Sequence, residues 1–261
     1  MARMKIGVCL RAFAAPLRPA LEQARRLGVS GIEIDAAGEL SPPQLSQTAR
    51  RELRNLLRNH HLDITALCCP LRHGLDVAER QQERIDHIKG VLALSYDLGP
   101  RKVIVQAGKL PEKDDDPRRP LLSEALLALG RHGDRMGAVL ALESGLDAAE
   151  TVTSFLGCLD TGSLAVNFNP GKLLLGGHNA VSAARTLGRH IVHAHATDAR
   201  AAAASRVPLG QGNIDWFELA AVLEEIGYHG WLVVETGPGT APEAAAGVAF
   251  LRRVGIEAGH A

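Results

Sequence analysis

Four short apolar runs in the second half of the chain each close on a polar side chain that can do chemistry: Val139-Leu-Ala-Leu-Glu143, Ala165-Val-Asn-Phe-Asn169, Ile191-Val-His-Ala-His195 and Trp231-Leu-Val-Val-Glu235. Side chains alternate along an extended strand, so Glu143 shares a face with Val139 and Ala141, Glu235 with Trp231 and Val233, and His195 with His193. Laid side by side, the runs bring two carboxylates, an amide and an imidazole together. That oxygen-rich set with one nitrogen suits Mn2+ or Mg2+, with Zn2+ or Co2+ as alternatives. Paired carboxylates on opposite faces of a bound ketose can also remove and return a proton beside its carbonyl, while a metal stabilises the enediolate. One such strand end is more often a solvated terminus or a structural hydrogen bonder; four in succession ask for a common site.

Positioning these groups requires neighbouring strands, and the rest of the chain supplies the pattern. Runs suited to strands recur at residues 5–10, 31–35, 63–69, 102–107, 139–143, 164–169, 191–195 and 231–235. Between them apolar residues fall at steps of three and four, as in Leu17, Leu21, Ala24 and Leu27, or Ile85, Ile88 and Leu92, or Trp216, Leu219, Leu223 and Ile226, which marks amphipathic crossover helices. Ser41-Pro42 reads as an N-cap with a first-turn proline, and Asp215 as a cap with Glu218 three residues on. Apolar-Gly pairs at Gly28, Gly99, Gly137, Gly188, Gly227 and Gly255 read as helix ends. Eight units of about 33 residues fit one (β/α)8 TIM barrel spanning residues 1–261, with its active site at the carboxyl ends of the strands. A doubly wound sheet would place a glycine-rich loop after its first strand, where this chain has Arg11-Ala-Phe-Ala14.

Composition narrows the function classes. Lys plus Arg (29) equals Asp plus Glu (29), which leaves no overall basic field for nucleic acid or an anionic membrane. The opening Met-Ala-Arg-Met-Lys has no signal-peptide apolar segment, and Cys9, Cys68, Cys69 and Cys158 show no C-x-x-C spacing, so reduced thiols in the cytoplasm are expected. The expected partner is a small carbohydrate, and a homo-oligomer is left open.

The chain resembles the sugar phosphate isomerase/epimerase family of xylose-isomerase-like TIM barrels, which includes ketose 3-epimerases, inosose dehydratase and, more distantly, AP endonucleases. The resemblance spans nearly the whole chain. It is most specific where Val166-Asn-Phe-Asn-Pro170 is similar to the family's N-F-D-P and His193-Ala-His-Ala-Thr-Asp198 to its H-x-H-x-x-D; Leu209-Gly-Gln-Gly-Asn-Ile-Asp-Trp216 and Gly227-Tyr-His-Gly-Trp-Leu-Val-Val-Glu235 complete it. The resemblance implies that Glu143, Asn169, His195 and Glu235 form a divalent-metal site. It further implies that Glu143 and Glu235 are the catalytic acid/base pair of a sugar isomerase or epimerase acting on a ketose or sugar phosphate. A lyase or dehydratase of the inosose dehydratase kind would use the same proton abstraction, and a metal-free sugar-binding barrel is a third class.

Two departures motivate that third class. Asn169 stands where the family has Asp, which takes the ligand set from three negative charges to two and weakens its hold on a cation without abolishing it. Lys172 stands where many members have His; it could sit beside the carboxylates in place of a metal, reach a substrate phosphate or carboxylate, or be solvated. The family often has an arginine soon after H-x-x-D, for which Arg200 is the approximate candidate, at the start of an alanine-rich stretch, residues 199–213, expected to be a long loop over the site. His73, Gln106 and His193 are the other expected substrate contacts. Glu33 and Asp35 share an inward face of the second strand, where a salt bridge competes with a substrate role. DNA-repair chemistry is disfavoured by the neutral charge and by Cys68, Cys69 and Gln106 on strands where the AP endonucleases carry zinc-binding histidines.

Overall fold

Strand alternation sorts side chains between two environments. In the fifth strand Leu140 and Leu142 join the main apolar core, while Ala141 packs with Ala66 and Ile104 in a small separate cluster. The second environment is the inside of a barrel. The computed structural model describes residues 4–113 and 115–256; residues 1–3, within the amino-terminal stretch read for a signal segment, Asp114 and residues 257–261 lie outside the described residues. The barrel strands are β1 (Lys5–Cys9), β2 (Gly31–Asp35), β3 (Asp63–Cys68), β4 (Lys102–Val105), β5 (Val139–Glu143), β6 (Leu164–Phe168), β7 (Ile191–Ala196) and β10 (Trp231–Val234). They close in the order β1-β10-β7-β6-β5-β4-β3-β2, all parallel, as the (β/α)8 TIM barrel requires.

Helices α1 (Leu17–Arg26), α2 (Gln47–Asn59), α3 (Gln81–Leu98), α4 (Arg118–Met136), α5 (Ala149–Gly157), α6 (Pro170–Leu175), α7 (Ala180–Leu187), α8 (Trp216–Glu225) and α9 (Ala241–Val254) fill the connections. The six glycines read as helix ends all have positive φ, between 42° and 107°. At Gly137 the value is 70°, and its N–H reaches back to Gly133 O, closing α4 as a left-handed cap. Asp215 caps α8 as expected, accepting from Phe217 N and Glu218 N at 3.0 Å. Ser41 does not cap α2: its hydroxyl donates to Gly38 O at 2.7 Å, closing a short 3-10 turn, and Ser46 caps the helix by accepting from Ala49 N at 3.2 Å.

Trp231 packs at the amino-terminal end of the strands. A Cβ at Gly31 would lie 2.4 Å from the Trp231 ring and 2.7 Å from the Thr65 methyl, so only glycine lets the indole sit there. Among the described residues no helix is long and apolar enough to cross a membrane.

The stretch 199–213, expected as a long loop over the site, contains regular structure. β8 (Asp198–Arg200) and β9 (Ser205–Val207) form an antiparallel hairpin, and the turn beyond it is organised by Asp198. The Asp198 carboxylate is buried and accepts from the backbone N–H groups of Ala199 (2.9 Å), Gly210 (3.0 Å) and Gly212 (3.1 Å). A Cβ at Gly212 would lie 1.9 Å from Asp198 Oδ1, so this close approach needs the glycine.

Candidate active site

The four strand-end residues do converge, around one atom. Asn169 Nδ2 lies 2.7 Å from Glu143 Oε1, 3.0 Å from Glu235 Oε2 and 3.3 Å from His195 Nδ1. Asn169 and His195 are fully buried and both glutamate side chains nearly so. Local structure explains the amide's position. Residue 169 is the first past β6 and is the N-cap of α6, with Pro170 filling the first helical position. Its Oδ1 accepts from Lys172 N at 3.1 Å and from the Thr197 hydroxyl at 2.6 Å, and that hydroxyl in turn accepts from Gly171 N at 3.0 Å. The Lys172 N–H can only donate, so Asn169 turns its oxygen to it and its NH2 to the carboxylates.

His195 is fixed from its other nitrogen: Nε2 is 2.6 Å from Glu33 Oε2, and Glu33 is buried in the middle of β2. The salt-bridge reading of Glu33 and Asp35 holds, with Arg11 as the partner. Its guanidinium lies 2.7 Å from Asp35 Oδ1, 3.5 Å from Glu33 Oε1 and 2.8 Å from Glu235 Oε1. Lys172 Nζ is 3.4 Å from Glu143 Oε1, and Arg206 donates to Glu235 O at 2.7 Å.

These contacts set the charges. Burial opposes ionisation of Glu33, but the His195 ring and Arg11 outweigh it and hold its pKa down at about 2. Burial also opposes ionisation of Glu235, which His195, Lys172, Arg206 and Arg11 bring down to about 2. Glu143 is buried too, and is lowered by His195 and Lys172. Burial disfavours the charged form of His195, yet the carboxylates of Glu33, Glu235 and Glu143 raise its pKa well above the usual histidine value. Burial pushes His193 down to about 3. Beside Glu33, the Cys9 thiol is raised to about 12 by burial and by that carboxylate, so it stays protonated.

Not every expected contact reaches the site. A cleft of about 340 Å3 opens between the ends of β4 and β5 and α6; Gln106, Glu143 and Lys172 line it, with Leu146 and Leu175 further out. His193 is buried, its Nδ1 2.8 Å from Asn167 Oδ1 and its Nε2 3.2 Å from Thr65 Oγ1, which suits a structural rather than a substrate-binding group. His73 lines a separate hollow with Arg72, Arg84 and His87, and that hollow shares no residue with the Glu143 cleft. Arg200 is exposed and donates to Gln211 O; the hairpin instead turns Arg206 back onto Glu235. Arg11 is absent from the expected contacts, although an arginine directly after the apolar run of β1 is a visible signal.

Ligand atoms of Glu143, His195 and Glu235 lie within 4.8 Å of one another, a spacing that could hold a metal ion. Three donors fit such an ion. The fourth does not: Asn169 presents N–H where a ligand oxygen is needed, and its oxygen is already engaged.

Residues 21–254 match the sequence profile of xylose isomerase-like TIM barrels. The fold superposes on a xylose isomerase domain protein from Planctomyces limnophilus (21% identity, TM-score 0.87, 97% of each chain). It also superposes on a D-tagatose 3-epimerase-like protein (20%, 0.81, 96% of this chain and 97% of that one). A probable 3-DHS dehydratase from Bacillus anthracis is a further match (19%, 0.77, 95% and 99%). An uncharacterized protein from Methanocaldococcus jannaschii is 24% identical over 168 residues, 58% of this chain and 56% of that protein's length. With its profile match running from α1 to the end of α9 and its eight strands closed, this chain belongs to the xylose isomerase-like TIM barrel family.

Proposed function

We propose that this chain is a sugar isomerase or epimerase that moves a proton on the carbon next to the carbonyl of a ketose or sugar phosphate. The observation that carries the reading is the pair of carboxylates, Glu143 and Glu235, held by one amide nitrogen at the open end of the barrel. Glu143 Oε1 takes the contacts from Asn169, His195 and Lys172, while Oε2 accepts no hydrogen bond from the described residues and is free to take a proton from a substrate in the cleft. Lys172 and Gln106 line the same cleft and can meet the negative charge that develops on the enediolate oxygen. Glu235, one amide nitrogen away, is the second group of the acid/base pair, and Arg206 and Arg11 hold it in place.

A divalent ion is the second reading of the same residues, favoured by the 4.8 Å grouping of Glu143, His195 and Glu235. Mn2+ or Mg2+ is the choice for so oxygen-rich a set, and either would supply Lewis-acid polarisation of the carbonyl when bound. Loss of water after the same proton abstraction would make the chain a dehydratase, and product analysis separates the two outcomes. The four unpaired cysteines suit a reducing compartment, in keeping with a cytoplasmic enzyme of carbohydrate metabolism.

The test is proton exchange. In D2O, ketoses, their phosphates and inososes are followed by NMR for deuterium at the carbon beside the carbonyl. Incorporation by the natural protein, slowed at least about 10²-fold in Glu143→Gln, is expected; equal incorporation by both would refute the reading.

A further inference from the structure

We infer that this chain does without a divalent cation at Glu143, His195 and Glu235, because the neutral Asn169 amide takes its place and Arg11 and Lys172 supply its positive charge from within the protein. The amide nitrogen fills the seat. An ion held by these three residues would have to lie between Glu143 Oε1, Glu235 Oε2 and His195 Nδ1, and Asn169 Nδ2 lies there, at 2.7, 3.0 and 3.3 Å. Both amide hydrogens have carboxylate acceptors, so the nitrogen is held there by the groups that would otherwise ligate an ion.

Turning the amide to offer its oxygen is opposed from behind. The Lys172 N–H, a backbone donor that cannot reverse, and the Thr197 hydroxyl, which also accepts from Gly171 N, both donate to Oδ1. A turned amide would set NH2 against the Lys172 N–H, uncap α6 and lose the hydrogen bonds to Glu143 and Glu235. An aspartate in this place could keep both donors on one oxygen and aim the other, charged, at Glu143 and Glu235. Three carboxylates would then need a cation. With asparagine the need is gone.

Charge balance points the same way. Arg11 spans Asp35, Glu33 and Glu235, and Lys172 lies 3.4 Å from Glu143, so both members of the acid/base pair already have a protein cation. Each of these cations is covalently part of the chain and cannot be removed by a chelator. In the proton-transfer reading, Lys172 then stabilises the charge on the substrate oxygen. That last step rests on the proposed function; the absence of an ion-binding site does not.

Metal content and Mn2+ binding test the inference independently of turnover. The full-length protein, purified with Mn2+, Mg2+, Zn2+ and Co2+ present and then desalted, is analysed for bound metal; Mn2+ binding is read from loss of the free-ion EPR signal. The natural protein is expected to carry far less than one ion per chain and to melt at the same temperature in EDTA and in Mn2+. Asn169→Asp is expected to bind Mn2+ and, at about 100 times its Kd, to melt several degrees higher than in EDTA. One ion per natural chain, lost in Glu143→Gln, overturns the inference. So does a folded Asn169→Asp that takes up no ion. If that variant does not fold, Asn169→Ala empties the seat without adding charge: Mn2+ binding above that of the natural protein supports the inference, and none overturns it. Failure of the deuterium-exchange test with a metal-free protein would refute the proposed reaction while leaving this inference standing.

Discussion

Arg11 and Glu235, 224 positions apart in sequence, meet at 2.8 Å where β1 pairs with β10 to close the barrel. The same guanidinium lies 2.7 Å from Asp35. One side chain from the end of β1 thus joins the carboxylates of β2 to the one that follows β10.

Removing that join should be costly. Breaking a largely buried pair leaves carboxylates without their partner, and Arg11→Met is expected to lower stability by about 3 kcal/mol. Arg11→Lys should recover only part of this, because a point ammonium cannot span Asp35 and Glu235 as the planar fork does. Urea unfolding of the three proteins checks both statements; an Arg11→Met midpoint equal to that of the natural protein would refute them.

Glu143→Gln and Glu235→Gln keep the shape of each side chain and remove its proton-accepting charge. Each should slow proton transfer by about 10²- to 10⁴-fold while leaving the folded state intact. Deuterium incorporation measures the first effect and far-UV circular dichroism the second.

Acid stability should follow Glu33. Its folded pKa is about 2 against an ordinary 4.5, so the contribution is fully present above 4.5 and is lost as the pH falls toward 2. The depression is worth on the order of 3 kcal/mol. Urea midpoints collected between those pH values should fall steeply for the natural protein and less steeply for Glu33→Gln. Parallel curves would mean that other carboxylates set the acid limb.

Asp198 holds the turn that follows the hairpin carrying Arg206. Asp198→Ala strips the acceptor from the N–H groups of Gly210 and Gly212 and should cost roughly 2 kcal/mol, with faster hydrogen exchange at those amides. Proton transfer should slow as well, because Arg206 loses its support beside Glu235. Unchanged exchange at Gly210 and Gly212 would show that the turn holds without the carboxylate.

The barrel, its strand ends and the four polar groups that close β5, β6, β7 and β10 are legible in the sequence, because those features are local. Alternation fixes which side chains of β5 face inward; six glycines mark helix ends; the runs closing on Glu143, His195 and Glu235 can be read one strand at a time. Tertiary structure decided the rest. Nothing near Arg11 in the sequence says that it pairs with Glu235, since that contact exists only once β1 lies against β10. The run at Ser205-Arg-Val207 does not announce that it folds back to place Arg206, rather than Arg200, on Glu235. Asn169 shows the division most plainly. Its identity was visible as a departure in charge. Which of its two amide atoms faces the carboxylates depends on donors from Lys172 and Thr197, and those are brought to it by α6 and by the end of β7.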